Sequence, residues 1–120
     1  MHSDVLGELG ALAFGTRLKR LSDRVMHDGA KMYRATGIAF EPKWFPVYYY
    51  LSEMGPRSIM DIAKAVGISH PSVNQVAREM KVANLVSAYK DTKDKRKRVL
   101  ALTSYGKQQK KSIEAVWQVI

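Results

Sequence analysis

The chain has 120 residues, enough for one domain with a modest core, and no cysteine, which removes disulfides, thiolate metal sites and thiol catalysis. Its formal charge of +9 is concentrated: residues 90–111 hold nine Lys or Arg and two Asp, a net +7. Such a patch points to a polyanion, either nucleic acid or an acidic membrane surface. No apolar run approaches the ~20 residues of a membrane span, and the opening MHSDVLGELG lacks the basic-then-apolar order of a secretion signal. A cytoplasmic location is expected, with no membrane partner.

Residues 4–35 read as a long amphipathic helix, with Leu6, Leu9, Phe14, Leu18, Leu21, Val25 and Met32 recurring at threes, fours and their sums. This stripe either packs on its own domain or meets a partner. Gly37 closes the helix or follows its end. Residues 38–54 are rich in aromatics, and Pro42 marks a helix start. Trp44, Val47, Tyr48 and Leu51 share one face, while Phe45, Tyr49 and Tyr50 lie off it. These rings either wedge the first helix against the rest of the chain or line a pocket for a small aromatic or amphipathic effector, with Trp44, Tyr48 and Tyr49 as candidates.

After the Gly55-Pro56 turn, Ser58 can cap a helix, and Asp61 three residues on completes an approximate capping box. Ile59, Ile62, Ala63 and Val66 follow at helical spacing, and Gly67 suits the left-handed end. Ser69 can cap a second helix, with Pro71 in its first turn and Val73, Val76, Ala77 and Met80 on its apolar face. Two short helices around a Gly-containing turn make a helix-turn-helix. Outward on the second helix face His70, Ser72, Asn74, Gln75 and Arg78. Asn and Gln can pair with adenine in the major groove, Arg with guanine, and Ser with either. Ser69 and His70, at the helix N-terminus, suit phosphate instead.

Leu85 to Tyr89 and Val99 to Leu102 read as two strands around a polar loop, KDTKDKRKR, at 90–98. The loop is a candidate DNA-binding wing through Lys93, Asp94, Lys95, Arg96, Lys97 and Arg98. Asp94 and Arg96, one residue apart, can pair so that the arginine is aimed forward. Thr103 can cap a final helix over 104–120. The fold class expected is mainly α with a small β-hairpin: a winged helix-turn-helix behind a long N-terminal helix. Its parts are 1–37, 38–103 and 104–120.

This stretch resembles the DNA-binding domain of the MarR family of bacterial transcriptional regulators. Residues 91–106, DTKDKRKRVLALTSYG, follow that family's D-P-x-D-R-R, strand, L-T-x-x-G pattern, with Asp94, Lys95, Arg96, Leu102, Thr103 and Gly106 on matching positions. The likeness covers about 40–110 well and the first helix loosely. Thr92 replaces the usual proline, Lys95 an arginine, and Asn84 a glycine before Leu85-Val86. The resemblance implies a homodimer on double-stranded DNA, with Leu6, Leu9, Phe14, Leu18 and Leu21 in the dimer interface, and an effector-responsive regulator. Further helical segments follow in that family, so a fragment, or a dimer held mainly by the first helix, is expected. Around Arg17 to Leu51, with Tyr33 and Lys43-Trp44-Phe45-Pro46, the chain also resembles the regulator half of MarR-like proteins fused to a GNAT-type acetyltransferase. No Gly-rich acetyl-CoA turn accompanies it.

No enzyme is expected. His2, His27 and His70 have no partners at metal-ligand spacing, and neither G-x-S-x-G nor G-x-x-x-x-G-K occurs. Neither a metal nor a cofactor is expected. The alternatives to a sequence-specific regulator are a non-specific architectural DNA binder and a winged-helix interaction module of a larger enzyme. The outward Ser72, Asn74, Gln75 and Arg78 disfavour the former, which needs no base-reading set. The basic loop disfavours the latter, since interaction modules carry aromatic and apolar anchors.

Overall fold

The computed structural model describes residues 2–119, with side chains over 10–118. A long helix, α1 (His2–Ala35), leads through a 3₁₀ turn (Pro42–Trp44) into α2 (Phe45–Met54). Then come β1 (Arg57–Ser58), α3 (Ile59–Val66), α4 (His70–Val82), β2 (Val86–Lys90), β3 (Arg98–Leu102), α5 (Ser104–Gln108) and α6 (Lys110–Val119). The mainly helical winged fold is the one the sequence predicts. The small sheet is antiparallel in the order β1-β3-β2, so the hairpin gains a third strand that two residues, Arg57 and Ser58, could not announce.

The caps follow the sequence. Ser58 accepts from Asp61 N at 3.1 Å, Ser69 from Ser72 N at 3.2 Å, and Thr103 from Gly106 N at 2.9 Å. Gly67 ends α3 in the left-handed region at φ 78°, and Asn84 takes φ 63° before β2. Asparagine tolerates that conformation best after glycine.

Two expectations change. Pro42 opens a 3₁₀ turn and not α2; the true helix starts at Phe45, which leaves Pro46 in the first turn, where no donor is missed. The final helix breaks at Gln109 into α5 and α6. At the break, Tyr48 Oη donates to the Gly106 carbonyl at 2.6 Å, and the change of direction lets Ile113 and Val116 enter the core.

One core joins most elements. It contains Tyr33, Phe40, Trp44, Tyr48, Leu51, Ile62, Val73, Met80, Leu85, Leu100 and Ile113. Phe40 is its hinge: its ring meets those of Tyr33 at 5.0 Å and of Trp44 and Tyr48 at 5.5 Å, all edge to face. Such pairs add to area burial by about 0.5–1.5 kcal/mol each. Burial raises the Tyr48 hydroxyl to about 12. Phe45, on the other side of α2, packs on Trp117 at 4.4 Å.

The first helix leaves this core early. Residues 10–28 are all exposed, and burial begins at Gly29. The radius of gyration, 17.8 Å, exceeds the ~14 Å of a compact chain of this length. Phe14, Leu18, Leu21 and Val25 therefore form an uncovered stripe, the first three 50–63 % exposed. The side chains of Leu6 and Leu9 lie outside the described residues.

Candidate nucleic-acid interface

Helix α4 is anchored by burying Val73, Val76, Ala77 and Met80. With 3.6 residues per turn, that places Pro71, Gln75 and Arg78 opposite the core. His70 and Asn74 fall on the flank toward the wing, and Ser72 and Glu79 on the flank toward the 3₁₀ turn. Ser69 and Ser72 bond each other, Oγ to Oγ at 2.8 Å, besides the cap. Their hydroxyls are therefore partly committed to starting the helix.

The wing hangs from the β2–β3 ladder, which ends at the Lys90–Arg98 pair. Its two aspartates build the loop. Asp91 Oδ1 accepts from Lys93 N at 2.9 Å, and Asp94 Oδ1 from Arg96 N at 3.0 Å. Asp94 then takes the Arg96 guanidinium, Nε to Oδ1 at 3.1 Å and Nη2 to Oδ2 at 3.3 Å. The Arg96 side chain, followed by its backbone amide, holds the Asp94 carboxyl below the usual range. Backbone bonds Asp91 N–Lys97 O and Lys97 N–Asp94 O, both 2.9 Å, close the turn. Lys93, Lys95, Arg96, Lys97 and Arg98 are all exposed. Paired to Asp94 yet 91 % exposed, Arg96 is a cation with restricted rotamers and a free outer face.

Helix and wing share a cleft. A cavity of about 340 Å³ opens between the start of α3, helix α4 and the wing, lined among others by Ser58, His70, Asn74, Arg96 and Arg98. A second, of about 160 Å³, continues along α4 past Arg78 and Lys81 to Arg98. The arrangement offers amide, imidazole and guanidinium groups on one side of the molecule, suited to a phosphate backbone and to base edges.

Sequence reasoning missed Glu79 and its partners. Its Oε1 accepts from Trp44 Nε1 at 2.9 Å and lies 2.9 Å from Lys43 Nζ, and its Oε2 accepts from Gln75 Nε2 at 3.1 Å. Trp44, then Lys43, pull the carboxyl down to about 2. The Gln75–Glu79 spacing of four was visible; the partners 35 and 36 residues away were not. Trp44 and Tyr48, at 7 % and 0 % exposure, are core, whereas Tyr49 is 48 % exposed. Tyr49 borders a shallow groove with Pro46, Tyr50 and Met54. The three named for an effector therefore face different surroundings.

Fold and site define a winged helix-turn-helix protein. Residues 40–97 match the model of the MarR family. No curated protein matches the sequence. Among solved structures, overoxidized AbfR bound to DNA superposes with a TM-score of 0.81 at 19% identity, over 100% of this chain and 86% of that one; AbfR is from Staphylococcus epidermidis. The transcriptional repressor CouR, bound to a 23-mer DNA duplex, gives 0.72 at 24% identity, over 85% of this chain and 70% of that one. The YusO protein from Bacillus subtilis gives 0.68 at 21%, over 88% and 74%. At these identities the likeness is one of fold. Among the described residues no helix is long and apolar enough to cross a membrane.

Proposed function

We propose that this chain is a sequence-specific, double-stranded DNA-binding transcriptional regulator that acts as a homodimer in the cytoplasm. The observation that carries the reading is the common cleft of α4 and the wing: His70 and Asn74 line it with Arg96, which is paired to Asp94 and exposed. Helix α4 enters a major groove, with Asn74, Gln75 and Arg78 toward base edges and Ser69, His70 and Ser72 toward phosphate. The wing runs along the flanking backbone, and Arg96 suits the enhanced negative potential of a narrow minor groove. The solved AbfR and CouR complexes with DNA support the same partner. The uncovered stripe of α1 supports pairing of two copies. For a small-molecule effector, the groove beside Tyr49 is the better supported place, since Trp44 and Tyr48 are spent in the core.

Selection from random duplexes tests the reading. A near-palindromic sequence with half-sites centred ~34 Å apart is expected. If each protomer neutralises ~4 phosphates, log K should fall against log salt with a slope near −7. Binding without an enriched sequence would assign an architectural role, and a slope shallower than about −2 would remove DNA as the partner.

A further inference from the structure

Glu79 is the one acidic residue of α4, and it is held from outside the helix. Trp44 Nε1 and Lys43 Nζ both reach its Oε1 at 2.9 Å. Trp44 itself is 7 % exposed and pinned by Phe40. The carboxylate is therefore fixed relative to the core, and its other oxygen, Oε2, accepts from Gln75 Nε2 at 3.1 Å and from Lys43 Nζ at 3.3 Å. A carboxylate only accepts hydrogen bonds. Gln75 must turn its amino group to Glu79, one helical turn along; one of its two N–H groups is taken there, and its carbonyl oxygen is the end turned away. Gln75 is exposed and stands opposite the buried face of α4. A glutamine free to flip can present either end to a base; this one cannot without breaking its bond to Glu79.

We infer that Glu79 is a specificity-positioning residue: by fixing the polarity of the Gln75 amide, it makes Gln75 read DNA with its carbonyl oxygen foremost. The inference rests on the reading of α4 as the recognition helix. Major-groove donors are the exocyclic amino groups of adenine and cytosine, whereas guanine and thymine offer acceptors at the corresponding edge. The position read by Gln75 favours adenine or cytosine on one strand over guanine and thymine. That amino-against-keto division is unlike the purine–pyrimidine or A·T–G·C divisions that shape or groove width produces.

The test is selection from random duplexes with the unaltered chain and four variants. Gln75→Ala locates the position by relaxing one column of the enriched site. There the unaltered protein should favour adenine and cytosine over guanine and thymine by about tenfold. Glu79→Gln keeps an acceptor for Trp44 Nε1 but presents an amino group to Gln75. The Gln75 carbonyl then turns inward and its amino group outward, so the same column should swing toward guanine and thymine. In a Gln75→Ala background, Glu79→Gln should leave that column unchanged. Trp44→Phe, which keeps a ring and drops the N–H, should broaden the column because Glu79 loses its anchor. A merely structural Glu79 lowers affinity on all sequences alike. The inference is overturned if the amino preference survives Glu79→Gln, or if a site is enriched and Gln75→Ala relaxes no column of it. Failure of the unaltered protein to enrich any site would overturn the specific-binding reading beneath it.

Discussion

The stripe on α1 is the place where the single chain leaves the most undone. Residues 10–28 stand clear of the core for roughly 28 Å at 1.5 Å per residue. Leu18 keeps 50 % of its surface exposed and Leu21 58 %. Full burial of a leucine is worth about 1.5–3 kcal/mol, so covering the exposed half of each gains about 1 kcal/mol. A two-fold interface counts each side chain twice. Leu18→Ala should therefore cost a dimer about 2 kcal/mol, a rise of about 30-fold in its dissociation constant. Leu18→Ala with Leu21→Ala should cost about 4 kcal/mol, near a thousandfold. Both leucines are exposed in the monomer and alanine favours helix, so monomer stability should hold. Sedimentation equilibrium measures the constants, and circular dichroism checks that helix content is kept. Two results refute the reasoning. One is an unaltered chain that stays monomeric at about 100 μM. The other is a double variant whose dimer constant moves by less than about threefold.

Two further predictions concern the wing and its base. Asp94→Ala should weaken operator binding even though it removes a negative charge, because Arg96 loses both its guanidinium partner and the loop geometry that aims it. Arg96→Ala should likewise cost more than Lys93→Ala or Lys97→Ala, measured by fluorescence anisotropy; tighter binding by Asp94→Ala would reduce the wing to diffuse charge. Gly106→Ala should destabilise the fold, because an added Cβ meets the backbone carbonyl of Leu85, which already accepts from Thr103 N at 3.0 Å. Overpacking against backbone costs about 1–3 kcal/mol, and an unchanged urea midpoint would contradict the contact.

What the sequence determined by itself is local. Ser58, Ser69 and Thr103 cap helices because each cap is satisfied within three residues. Gly67 takes positive φ because it has no Cβ, and Asn84 because its short polar side chain tolerates the left-handed region. The Asp94–Arg96 pair was legible because a tight loop cannot keep residues two apart from meeting. The apolar periodicity of α4 located its inner face, and so its outer one. Other features needed the chain to be folded. The two residues of β1 carry no pattern and become a strand only because β3 arrives beside them. The final helix breaks at Gln109, next to the turn where Tyr48 reaches the Gly106 carbonyl from α2. Spacing put Trp44 and Tyr48 on one face and Tyr49 off it, but only packing decided that this face is core and not the lining of a pocket. Glu79 acquires its role from Trp44 and Lys43, which the turn before α2 carries to the flank of α4. Periodicity tells which side of an element is apolar; which neighbour covers it, and which polar group it brings along, is decided by the packing of segments far apart in the chain.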